Sequence, residues 1–98
     1  MRNMQVNGRM KESTRDEFYT LAEQKRSATN NSPIWVSIAE KLDQNAPLGT
    51  DELDALEHEA LKKIAYLKEQ KEHGRESATI KLSLLERAYR NLYDELPK

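Results

Sequence analysis

The apolar positions of this chain fall at helical spacing in four stretches, and no stretch alternates with the period of two that a strand requires. Phe18, Leu21, Ala22, Lys25 and Ala28 trace a narrow stripe, and the run Ala28-Thr29-Asn30-Asn31 ends it. Ile34, Trp35, Ile38, Ala39 and Leu42 form the inner face of a short second helix. Leu53, Leu56, Ala60, Ile64 and Leu67 mark a third, widened by Leu61. In the fourth, Ile80, Leu82, Leu84, Leu85, Ala88, Tyr89, Leu92, Tyr93 and Leu96 sweep about 220° of surface, against the stripe of about 100° that an ordinary surface helix buries. One neighbour cannot cover that arc. The segment must be packed on two sides, by its hairpin partner and by either the N-terminal helices or a second copy of the chain.

Punctuation sets the boundaries. Thr14, followed by Asp16 and by Glu17 three residues on, reads as a first N-cap, with Ser13 as the alternative. Ser32-Pro33 combines a serine cap with a proline at the first helical position, where the missing N–H has no cost. Gln44 to Gly49 is turn chemistry, and Thr50 or Asp51 then caps the third helix, whose start carries Asp51, Glu52 and Asp54 and whose end carries Lys71 and His73. Gly74 is placed to be its left-handed terminator. The expectation is an all-α fold: a small four-helix domain over 13–98, with helices at about 14–28, 33–43, 51–73 and 77–96, preceded by a flexible arm over 1–12. The last two helices, joined by a few residues, are expected to form a C-terminal antiparallel hairpin.

Composition narrows the function more by exclusion than by pointing. The 98 residues suit one small domain with a thin core. Sixteen basic and 17 acidic side chains nearly cancel, so there is no global field to attract nucleic acid. The chain has no cysteine, which removes disulfides, thiolate nucleophiles and thiolate zinc sites and fits a cytoplasmic location. No apolar run approaches the roughly 20 residues needed to span a bilayer, so no membrane association is expected.

Candidate chemistry is sparse. A zincin helix built on His58 would need a second histidine where Lys62 stands, and His73 reads as an exposed dipole partner, so no metal is assigned. Asp51 with Asp54, and Glu69 with Glu72, sit at surface spacing among lysines, as does Glu59 with Lys63; ordinary ion pairing explains them better than acid–base catalysis. The three glycines are isolated, so there is no phosphate loop, and no catalytic residue or cofactor is assigned. Residues 36–42 have the pattern of a first helix of a helix-turn-helix, but the next helix opens with Asp51, Glu52 and Asp54, which phosphates would repel.

What is left is binding. The reading is a non-enzymatic macromolecule-binding protein, a small regulator, inhibitor or assembly adaptor that acts by occupying a protein partner. The excess arc of the fourth helix favours a homodimer. Tyr66, off the apolar stripe of its helix, and Leu82, Tyr89, Tyr93 and Leu96 are the candidate interface. The alternative is a transcription-associated or nucleic-acid-binding factor using the local basic surface Lys81, Arg87 and Arg90 on a dimer.

Overall fold

The computed structural model describes residues 11–94. Four helices follow one another: α1 (Glu12–Ala28), α2 (Pro33–Asp43), α3 (Thr50–Glu72) and α4 (Glu76–Tyr89), the last continued by a π-helical segment (Arg90–Asp94). There is no strand among the described residues, and the domain is all-α. The expected arm over 1–12 falls outside them except for Lys11 and Glu12, and Glu12 already belongs to α1.

The turns are built from residues that tolerate left-handed backbone. Asn30 (φ 56°) and Asn31 (φ 64°) lead out of α1, Asn45 (φ 56°) leads out of α2, and Gly74 (φ 82°) ends α3. At Gly74 the chain reverses, with the Arg75 N–H donating to the Gln70 carbonyl at 3.2 Å, and α4 folds back along α3 as the expected hairpin.

Two helix starts differ from expectation, those of α1 and α3. The first helix begins at Glu12, before both Ser13 and Thr14. Thr14 is buried, and its hydroxyl accepts a hydrogen bond from Asn91 Nδ2 at 3.1 Å, so the oxygen serves a tertiary contact instead of a cap. Ser32 does hold the N-cap position of α2, with Pro33 next, but makes no side-chain capping bond. At α3 the cap is Gly49, not Thr50 or Asp51, because Glu52 reaches back to accept from the Gly49 N–H at 2.8 Å.

Two apolar clusters result. The larger joins all four helices: Phe18, Leu21 and Ala22 of α1; Trp35, Ile38, Ala39 and Leu42 of α2; Leu53, Leu56 and Ala60 of α3; and Ala88, Leu92 and Tyr93 at the end of the chain, with Leu48 plugging the base from the α2–α3 loop. The smaller belongs to the hairpin alone: Ile64, Leu67, Ala78, Leu82 and Leu85. Tyr89 packs against both and tilts over Tyr93, ring centroids 5.0 Å apart. Most of the wide arc of the fourth helix is therefore covered within one chain, by α3 on one side and α1 on the other, while Ile80 and Leu84 stay exposed. The π segment completes this. Its wider turn accompanies the burial of both Leu92 and Tyr93, and the Tyr93 hydroxyl donates to the Leu53 carbonyl at 2.8 Å.

Candidate protein-interaction surface

Burial redistributes the expected interface. Leu82 and Tyr93 are 5% and 1% exposed inside a single chain, where a second copy cannot reach them while the domain stays folded. A dimer seam through those two residues is corrected accordingly: α1 supplies Phe18, which meets the Tyr93 ring edge-on at 6.0 Å, and so takes the place reserved for a partner. Tyr89 is half-buried, its hydroxyl donating to Glu57 at 2.9 Å. Leu96 lies outside the described residues. Tyr66 is 53% exposed, as its position off the stripe implies, with Lys63 Nζ 5.4 Å from its ring centroid.

The apolar groups left at the surface are instead Ile80 and Leu84, with Leu61 on α3. Ile80 and Leu84 stand one turn apart on the face of α4 turned away from the hairpin core. Leu84, 43% exposed, is also the floor of a groove of about 250 Å³ where α1 meets the hairpin. Leu21, Leu67 and Leu85 complete that floor; Glu17, Thr20 and Gln24 form the α1 wall, and Lys63 and Lys81 stand opposite. A smaller depression of about 60 Å³ continues the seam past Leu84 toward the end of the chain, lined by Ser13, Thr14, Glu17, Arg87, Ala88 and Asn91.

The seam thus gathers two of the three expected basic residues. Lys81 and Arg87 lie along it, and Arg90 is exposed outside it. Lys63, whose expected partner was Glu59, lines the groove instead, because Glu59 pairs with Lys25 of α1 at 3.4 Å and with Lys62 at 3.9 Å. Neither Lys63, Lys81 nor Arg87 forms an ion pair with another described residue. Glu17 is the acidic member of the lining; burial, with the neighbouring Asp16 charge, raises its carboxyl above the ordinary range.

Two other depressions contain charges that pair within the chain. Between α1 and α2, Glu23 and Arg26 bond each other at 2.6 Å. Beside Gly49, the Glu52 carboxylate accepts from Ser37 Oγ at 2.5 Å and Lys41 Nζ at 2.8 Å, as well as from the Gly49 N–H. Burial alone would raise that carboxyl, but the bonds from Lys41, Ser37 and Gly49 and the Lys41 charge hold it below the ordinary carboxylate range.

His58 and His73 are both exposed, and among the described residues no three histidine, aspartate or glutamate side chains converge as a metal site would require. No helix among them is long and apolar enough to cross a membrane. No protein-family model matches this chain, and no curated protein or solved structure shows significant similarity to it.

Proposed function

We propose that this chain is a non-enzymatic protein-binding domain, a small regulator, inhibitor or assembly adaptor, which acts by holding a partner in the seam between α1 and α4. One observation carries the reading. Leu84 is 43% exposed at the floor of a groove whose other floor residues are leucines and whose walls are polar, an arrangement suited to receiving an apolar side chain. Ile80, 66% exposed one turn away, extends the same apolar strip beyond the groove. A single exposed leucine is ordinary, but a leucine continuous with a concave apolar floor offers a partner both area and shape.

Affinity capture from nuclease-treated lysate tests this, with the wild-type chain compared against Leu84→Glu and Ile80→Glu. Both positions are exposed, so helix content and melting should match wild type. The expected result is a protein retained by wild type and lost with Leu84→Glu. The reading fails if both variants retain the same proteins as wild type, or if everything retained disappears on nuclease treatment.

A further inference from the structure

We infer that the occupant of the seam is an acidic amphipathic helix; this inference rests on the protein-binding reading above and adds the chemistry of the partner. The shape argues for a helix. The α1 wall runs from Glu17 to Gln24, seven steps or about 10 Å at 1.5 Å each, so the main groove matches about two helical turns. A helix offering apolar side chains at i, i+3 or i+4, and i+7 would set them over Leu84, Leu85, Leu67 and Leu21.

The charge argues for acidity, and for a register. Lys81 and Arg87 stand six residues apart on α4, about 9 Å along its axis, with Lys63 across from α1 at the groove itself. Carboxylates about two turns apart on one edge of the bound helix, at i and i+7, would meet Lys81 and Arg87 together. Those cations have no carboxylate partner among the described residues, whereas Lys25, Arg26 and Lys41 elsewhere on the body are already paired. Glu17 faces them from α1, so an acidic helix would sit with its carboxylate edge toward α4 and its neutral edge toward Thr20 and Gln24.

The same features disfavour the other occupants. A nucleic-acid backbone would set phosphates against a leucine floor and the Glu17 wall, neither of which offers it a donor. A second copy docking across a two-fold axis would offer the seam its own charges, in which Lys63, Lys81 and Arg87 outnumber Glu17, so it supplies too few carboxylates to pair them.

The test uses fluorescence anisotropy with the full chain and a labelled helical peptide of about 15 residues, carrying leucines at i, i+4 and i+7 and glutamates at the flanking positions. Two control peptides replace the glutamates with lysine or the leucines with serine. The expected result is saturable binding of the acidic peptide, weakened at least tenfold by glutamate-to-lysine exchange in the peptide. Lys63→Glu/Lys81→Glu in the protein should weaken the acidic peptide and strengthen the lysine peptide. Leu84→Glu should abolish binding of both. Equal binding of acidic and lysine peptides overturns the inference, and so does competition by duplex DNA at concentrations that displace the peptide. So does a dimer in sedimentation that Leu84→Glu dissociates. If the acidic peptide fails while lysate capture still depends on Leu84, the charge class is wrong and the groove reading stands; if both fail, the groove reading falls with it.

Discussion

Replacing Glu52 tests how α2 is joined to the start of α3. Its carboxylate accepts three hydrogen bonds from three places: Ser37 and Lys41 on α2, and the Gly49 N–H at the start of α3. The side chain is 12% exposed while Lys41 is 39% exposed, so the ion pair is partly screened and its worth lies toward the lower end for such pairs. Gln keeps one oxygen to accept from Gly49 but presents an amide NH2 to Ser37, whose hydroxyl must then accept instead of donate, and it loses the charge, so Glu52→Gln should cost about 1 kcal/mol. Alanine leaves all three donors unmatched and removes the N-terminal cap, so Glu52→Ala should cost about 2–3 kcal/mol. In a domain of this size each kcal/mol should lower Tm by about 4–8 °C.

The pH dependence has a definite sign. The folded-state carboxyl sits below its unfolded value, so the stabilisation is present above the unfolded pKa, near 4.5, and is lost as pH falls through the folded value. Urea unfolding followed by circular dichroism should therefore find the gap between wild type and Glu52→Gln widest at pH 7 and shrinking as pH drops below about 4.5. A gap that is absent at pH 7, or constant down to pH 3, would refute the argument. Lys41→Met combined with Glu52→Gln should give a coupling energy of about 0.5–1 kcal/mol, the part that belongs to the pair itself.

Two further substitutions probe the turn and the core. A Cβ at Gly74 would meet nothing within 4 Å, so the whole cost of substitution there is the backbone at φ 82°: Gly74→Ala should lose about 1–2 kcal/mol, Gly74→Val more and Gly74→Asn less, and equal melting temperatures for the three would reject the left-handed turn as the cause. Trp35, 6% exposed in the four-helix cluster, should cost about 3–5 kcal/mol when cut to alanine, measured by circular dichroism in urea; a loss under about 1 kcal/mol would show that α2 is not anchored by that ring.

The helices themselves were legible because their ends are written locally. Pro33, the Gln44 to Gly49 run and Gly74 act within a few residues, and each marks a real boundary within one or two positions. What escaped depends on contacts distant in sequence. Thr14 reads as a cap until Asn91, 77 positions away, takes its oxygen. Leu48, between Pro47 and Gly49, reads as part of a turn, yet it is 2% exposed because the loop folds it under the main cluster. The π segment has no local signature, since it comes with the burial of Leu92 and Tyr93 by partners on α1 and α3. The width of the α4 arc was readable, but which body covers it was not. The small Ala22 and Ala39, 0% and 3% exposed, sit where α1 and α2 join the core, and Phe18 fills the space facing Tyr93. The exposure of Tyr66 was legible from its wheel position, and the charges of Lys81 and Arg87 from the sequence itself. The groove was not, because its walls come from three helices.

The groove lies where the two apolar clusters meet, with Leu21 from the four-helix cluster and Leu67 and Leu85 from the hairpin cluster. The cluster of Ile64, Leu67, Ala78, Leu82 and Leu85 is two helices thick, while the cluster nearer the chain ends is built from four. Where α1 stops supporting the hairpin, the packing must either taper through polar residues or leave an apolar edge. At Thr20 and Gln24 on α1 the chain tapers. At Ile80 and Leu84 on α4 it does not, although polar residues there would cost the fold little, since neither side chain is buried. The exposed leucine and isoleucine therefore add little to the stability of the domain itself, and their free energy is available to a partner that removes them from water.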